Sequence, residues 1–107
     1  MATTATLMYR GTLTATTTTQ LYAGASSGVG VVTNIALTNI TSSAATATIF
    51  LQTGSTAVAI LSAVTIPANT TAFFDLKQVL SGTSNAITGG ASVGSAINAH
   101  ISGVVIV

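Results

Sequence analysis

The stretch that decides the fold is Val31-Val32-Thr33-Asn34-Ile35-Ala36-Leu37-Thr38-Asn39. Its residues alternate with a period of two: one set is mainly apolar (Val31, Ile35, Leu37), and the other is mostly small or polar (Val32, Asn34, Ala36, Thr38). Such alternation predicts a β-strand with one buried face. Residues 45–52 repeat the pattern after the short polar link Thr41-Ser42-Ser43-Ala44, which predicts an antiparallel hairpin between the two strands.

The same period extends outward over most of the chain. It predicts strands over residues 7–13, 17–22, 31–40, 45–52, 58–66, 70–74, 86–92 and 96–106. Pro67, within Ile66-Pro67-Ala68-Asn69-Thr70-Thr71, predicts a turn and a second hairpin. The abundant Thr, Val and Ile favour strands over helices. We therefore expect an all-β protein: an antiparallel β-sandwich, Greek-key or jelly-roll-like, with about eight strands.

One segment interrupts the strand pattern. Asp75-Leu76-Lys77-Gln78-Val79-Leu80 places a carboxylate three residues before a glutamine, the spacing of a capping box at the start of a helix. Ser81-Gly82 follows as a stop signal. The segment predicts one short helical turn after Phe74.

Charge is nearly absent from the sequence. Of 107 residues, 3% are charged, against roughly 25% in an ordinary domain, and the charged residues are Arg10, Lys77 and Asp75. Charge repulsion cannot keep such a surface dispersed, which indicates assembly with partners. Two isolated cations cannot neutralise a run of phosphates or coat an anionic membrane. We expect one domain over 1–107 with no nucleic-acid or membrane partner.

Catalysis and cofactor binding find little support in the residues present. His100 is the only imidazole, and the alternation places it on the polar face of its strand with Asn98. One His and one carboxylate cannot complete a metal site. Gly24 to Gly30 lacks the Lys-Ser/Thr ending of a phosphate loop. The sequence predicts no enzyme activity, no catalytic residue, no metal and no cofactor.

Candidate interface residues lie near both termini and at the tyrosines. Residues 1–6 are expected to form an extended arm, and the apolar C-terminal strand must be central in a sheet or paired with another subunit. The phenylalanines Phe50, Phe73 and Phe74 are expected in the core, and the tyrosines at a rim or interface. The predicted interface comprises Met1, Ala2, Thr3, Thr4, Tyr9, Arg10, Tyr22, Val104, Val105, Ile106 and Val107.

Several blocks of the chain carry a family resemblance. They are Gln20-Leu21-Tyr22, residues 31–39, Ile66 to Thr71, Phe73 to Leu80, and residues 93–104, which end in His100-Ile101-Ser102-Gly103-Val104. Together they resemble small β-sandwich virion proteins of tailed phages, of the capsid decoration or cement type. The resemblance covers most of the chain from Gln20 onward. Its motifs are turn and core patterns, so no functional residue is transferred.

The resemblance implies a particle component, expected on the capsid surface as a homotrimer that stabilises the head by binding neighbouring capsomers. Its partner would be the major capsid protein or another virion structural protein. Two alternatives stay open: a tail, baseplate or fibre-associated module, and a cell-surface carbohydrate-binding module. The last needs exposed aromatics on a concave face, and the chain has three Phe, two Tyr and no Trp.

Overall fold

The computed structural model describes residues 3–24, 28–82 and 84–106, and within them every regular element is a β-strand. The eight strands are β1 Thr3–Thr12, β2 Gln20–Ala23, β3 Val29–Asn39, β4 Ala45–Thr53, β5 Thr56–Ile66, β6 Thr71–Ser81, β7 Asn85–Ala91 and β8 Ile97–Ile106. The predicted all-β class with about eight strands is confirmed. No helix of membrane-spanning length and hydropathy occurs in these ranges.

The strands form two four-stranded sheets packed face to face. Sheet A has the order β1-β8-β3-β6 and sheet B the order β2-β7-β4-β5, and every pairing is antiparallel. Only the β4–β5 link joins two strands of one sheet, while each of the other links crosses between sheets. This is the connectivity of a jelly roll, one of the two arrangements expected from the sequence.

Both predicted hairpins are therefore wrong. The link at residues 41–44 carries the chain from β3 in sheet A to β4 in sheet B, and the Pro67 turn carries it from β5 in sheet B to β6 in sheet A. Alternation shows which face of a strand is buried, but both sheets bury a face against the same core. A short polar link serves a crossing as well as a hairpin, so the sequence pattern did not distinguish the two.

The buried side chain of Asn39 holds these two crossings together. Its Nδ2 donates to the carbonyl oxygens of Ser43 (2.8 Å) and Ile66 (2.9 Å). Its Oδ1 accepts from the backbone N–H (2.9 Å) and the hydroxyl (2.7 Å) of Thr41. The side chain is 0% exposed. One amide thus satisfies its full hydrogen-bonding capacity inside the corner where both crossings meet.

The predicted helical turn at residues 75–80 is absent, because this segment continues strand β6. Ala72, Phe74 and Leu76 pack against the core, whereas the intervening residues are exposed, which is a period of two. Asp75 caps no helix: its Oδ1 accepts a hydrogen bond from Asn34 Nδ2 on the neighbouring strand at 3.0 Å. Pairing along the whole of β3 outweighs the local capping signal.

A β-bulge changes the predicted alternation of β3. The pairing with β8 shifts between Val32 and Asn34, which leaves Thr33 as the extra residue. Val32 is consequently buried at 0% exposure along with Ile35 and Leu37, while Val31 is half-buried. The assignment of Val31 to the core face was wrong, since one inserted residue reverses the faces of all residues before it.

Both chain ends belong to sheet A. Strand β1 begins at Thr3, and its first four residues pair with the end of β8, from Thr3 opposite Ile106 to Thr6 opposite Gly103. Residues 3–6 therefore form sheet in place of the expected arm, and Met1 and Ala2 lie outside the described residues. Strand β8 lies between β1 and β3, so the apolar C-terminal strand is central, one of the two positions the sequence allowed.

The core between the sheets is small and almost wholly aliphatic. Its largest fully buried side chains are Leu13, Val32, Ile35, Leu37, Ile49, Ile66, Leu80, Ile87, Ile97 and Ile101. Two polar side chains share this interior, those of Asn39 and Thr88. Every buried side-chain nitrogen or oxygen within the described ranges has a hydrogen-bond partner, so the interior carries no unsatisfied polar group.

Candidate interaction surface

The outer face of sheet A is formed by the side chains that point away from sheet B. The strand register aligns Arg10, His100, Ala36 and Phe73 in one row across β1, β8, β3 and β6. Thr12, Asn98, Thr38 and Thr71 form the next row. The residues that alternate with these, such as Leu37, Ala99 and Ile101, are buried. The two rows therefore share one solvent-facing surface.

All four charged or imidazole-bearing residues of the sequence lie on this face. Arg10 is on β1, His100 on β8, and Asp75 and Lys77 on β6. Each occupies an outward position in its strand, and Arg10, Asp75 and Lys77 are exposed. The outer face of sheet B consequently has no ionisable Arg, Lys, Asp, Glu or His side chain. What charge the protein carries is concentrated on one side of the sandwich.

Large apolar side chains are exposed on the same face. Leu7 is 51% exposed, Val79 57% and Phe73 71%. The prediction that Phe73 belongs to the core is wrong. Phe73 and Phe74 are consecutive in β6, so they point to opposite sides of the sheet, and Phe74 packs against the core. Phe50, on β4, is half-buried.

An open concavity of about 490 Å³ lies over the two aligned rows. It exists because a small residue, Ala36, lies between two larger side chains of the same row, those of Phe73 and His100. At its polar side, Thr12 Oγ1 donates to Asn98 Oδ1 at 2.7 Å. The hydroxyls of Thr38 and Thr71 are hydrogen-bonded to each other at 2.8 Å. These cross-strand pairs hold the polar side in place.

The other end of sheet A contains most of the predicted interface residues. Thr3 lies opposite Ile106, Thr4 opposite Val105, and Val104 lies between Ala5 and Val31. We call this group, with Val29 and Val79, the terminal end of sheet A. Arg10 is also on β1 but lines the concavity, and Met1, Ala2 and Val107 lie outside the described residues.

The two predicted tyrosines are separated in the fold. Tyr9 lies on β1 in sheet A and Tyr22 on β2 in sheet B, and both are partly buried against the core. The surface residues that sequence reasoning missed are Leu7, Phe73 and Val79. Reading residues 71–81 as one strand of period two would have placed Phe73 and Val79 outside.

Acid–base chemistry has limited geometric support on this face. His100 on β8 and Asp75 on β6 are separated by β3. They are also offset by two residues along the strands, because His100 aligns with Phe73 and Ser102 aligns with Asp75, so their backbones are about 12 Å apart. Asp75 is hydrogen-bonded to Asn34. Residues 3–24, 28–82 and 84–106 contain no group of three His, Cys, Asp or Glu positioned for a metal ion.

No protein-family model matches the sequence. No curated protein matches it either. Similarity appears among solved structures, at low sequence identity, and it covers nearly the whole chain.

A chain from the particle of infectious bursal disease virus has a TM-score of 0.61 and 10% identity over 97% of this chain and 30% of that chain. A structure of the Gx strain of that virus has a TM-score of 0.55 and 14% identity, over 96% of this chain and 30% of that chain. The coat protein of Tobacco streak virus has a TM-score of 0.48 and 11% identity, over 96% of this chain and 84% of that chain. The protein described here spans about 30% of the bursal disease virus chains, and it shares the β-sandwich fold of those virus-particle proteins.

Proposed function

We propose that this chain is a virion structural protein, and specifically a capsid decoration protein that binds neighbouring capsomers as a homotrimer. The observation that carries the proposal is the complete eight-strand jelly roll, which matches part of a virus-particle chain along 97% of its own length. Jelly rolls also occur in lectins and cupins. The fold alone therefore does not specify the function, and the surface chemistry must support the proposal.

The first support is the chemistry of the surface. A formal charge of +1 from three charged residues gives little electrostatic repulsion between copies, so apolar contacts between copies are not opposed. Natural edge strands are commonly blunted by charge or proline. Arg10 lies on edge strand β1, and Asp75 and Lys77 on edge strand β6. The edges of sheet A are protected in this way.

The long edge strand of sheet B has no such protection. Strand β5 spans Thr56–Ile66 and contains neither charge nor proline. Its bulges lie between Ala59 and Val64, so its regular open edge is Thr56 to Ala59, where each residue is exposed. Val58 is 60% exposed. An uncharged open edge presents unpaired backbone groups to another chain. We assign one side of the self-association contact to the β5 edge. In a trimer this edge contacts a different surface of the next copy, and the ring closes because open contacts would propagate into fibres.

The terminal end of sheet A is the proposed contact with the shell. Its half-buried outward-facing side chains (Val29, Val31, Val104, Ile106) form an apolar surface beside the exposed Val79. The core of a protein interface is depleted of charge in the same way. The partner proposed for this surface is the major capsid protein. The role is structural and involves no catalysis by the chain.

Light scattering coupled to size-exclusion chromatography tests the self-association. The expected mass is three times the 10.5 kDa of one chain. Val58→Lys places a charge on the β5 edge and is expected to yield monomer without loss of fold, since the side chain is largely exposed. Val93→Lys is the matched control, because Val93 is 55% exposed outside the strands. A wild-type protein that stays monomeric at high concentration refutes the trimer.

Electron cryo-microscopy of particles that contain the chain tests the location. Density for the jelly roll on the outer capsid surface, with the terminal end of sheet A toward the shell, is the expected result. Density confined to the tail, baseplate or fibre would refute decoration while keeping a virion role. Absence of the chain from purified particles would refute both.

A further inference from the structure

The concavity on sheet A has a slot at its centre. In the row that joins His100, Ala36 and Phe73, the alanine lies on the middle strand between two ring-bearing side chains. Adjacent strands are about 4.8 Å apart, so the backbones of His100 and Phe73 are about 10 Å apart. One ring in contact on both faces needs about 7 Å, at about 3.5 Å for each contact. The slot therefore has the width for one ring.

The polar side of the slot indicates which kind of ring fits. Asn98, Thr12, Thr38 and Thr71 supply an amide and three hydroxyls along the adjacent row. Asn98 Oδ1 accepts from Thr12, and no hydrogen bond from Asn98 Nδ2 occurs within the described ranges. An aromatic side chain of a protein partner has too few hydrogen-bonding groups to pair with this amide and these three hydroxyls. A pyranose matches both parts, with an apolar ring face for Phe73 and hydroxyls for the polar row.

The charge on the lining of the concavity indicates that the ligand is acidic. Arg10 lines the concavity on the side of His100 away from the slot, so its long side chain must extend past His100 to reach a ligand there; neither Asp75 nor any other carboxylate lines the concavity. A guanidinium binds a carboxylate through two parallel hydrogen bonds. We propose that the concavity binds a carboxylate-bearing pyranose, such as a uronic or sialic acid unit of a glycan, with its ring against Phe73 and its carboxylate at Arg10.

This inference is independent of the shell contact, which lies at the opposite end of sheet A. A decoration protein held by its terminal end would present the concavity to solvent. The sequence argued against a carbohydrate site because aromatics are few. The 71% exposure of Phe73 supplies the aromatic face on a concave surface that such a site requires.

The experiment is an NMR titration of the wild-type chain with sodium D-glucuronate, N-acetylneuraminate, methyl α-D-glucopyranoside and sodium acetate. An open site of this size is expected to bind the two acidic sugars with a Kd of about 1 mM, with shifts at Ala36, Asn98 and His100. The neutral glucoside and acetate, which each offer half of the recognition, are expected to bind about tenfold more weakly.

Variants distinguish the contact of the sugar ring with Phe73 from the contact of its carboxylate with Arg10. Phe73→Ala is expected to weaken acidic-sugar binding about tenfold, and Arg10→Gln to abolish the preference over the glucoside. Phe73→Leu, which keeps an apolar side chain without the ring, is expected to behave as Phe73→Ala. Leu7→Ala is the control and leaves affinity unchanged, because Leu7 is exposed on the same face and does not line the concavity.

Three results of these titrations would overturn the proposal. They are no saturable sugar shifts, acetate binding as tightly as glucuronate, or shifts that are unaffected by Phe73→Leu. Tighter binding of an acidic aromatic peptide than of either sugar would assign the slot to a protein partner, and also overturns it.

Discussion

Replacing Asn39 by alanine tests the role of the buried amide in the fold. The change removes four hydrogen bonds of 2.7–2.9 Å, to Ser43 O, Ile66 O, Thr41 N and Thr41 Oγ1. The Ser43 carbonyl keeps a bond from the Thr41 hydroxyl. The Ile66 carbonyl loses this partner in the interior and the half-buried Thr41 loses the partner of its N–H, and each group left unsatisfied costs about 1–3 kcal/mol.

The expected loss is therefore about 4 kcal/mol, taken from a total stability of roughly 5–15 kcal/mol for a domain. At about 4–8 °C for each kcal/mol in a domain near this size, Tm falls by about 16–32 °C. Equilibrium urea unfolding followed by circular dichroism measures the free energy directly. The midpoint is expected to fall while the slope stays constant, because the fold of the remaining protein is unchanged.

Asn98→Ala is the matched control. Asn98 is also an asparagine on sheet A, but it is exposed and its side chain accepts a hydrogen bond from Thr12. Its loss is expected to cost less than about 1 kcal/mol. If Asn39→Ala costs no more than Asn98→Ala, the corner is not held by the buried amide and the reasoning fails.

Two further predictions concern single positions in the sheets. A Cβ on Gly90 would lie 2.5 Å from Thr16 O and 2.8 Å from Thr14 O, both backbone atoms, so Gly90→Ala is expected to cost about 2–3 kcal/mol in urea unfolding. In Gly54→Ala the new Cβ meets no atom within 4 Å, so the only cost, about 1 kcal/mol, is that of an alanine at a φ of +61°. Equal losses of stability in the two variants would contradict the close approach of Gly90 to the Thr14 and Thr16 carbonyls. Leu76→Gln, which points into the core, is expected to cost about 1–2 kcal/mol, whereas exposed Lys77→Gln stays within about 0.5 kcal/mol. Equal effects at these neighbours would mean that residues 75–80 are not a strand.

The sequence alone determined the class of the fold and the position of most strands. Period-two alternation and β-branched residues specify strands locally, since each residue's face depends only on its near neighbours. For that reason the central strand, the position of His100 beside Asn98 on the polar face, and the burial of the C-terminal strand's inner residues were all predictable.

Tertiary structure alone decided the pairing, and with it the candidate site. Which sheet a strand joins depends on partners distant in sequence: β6 finds β3 about forty residues earlier, as the Asn34–Asp75 bond shows. That pairing converted a local helix signal into a strand, turned Phe73 outward, and aligned Arg10, His100, Ala36 and Phe73 across four strands. No local pattern carries this information, because non-local hydrogen bonds and a shared core select among strand orders that the same alternation permits equally.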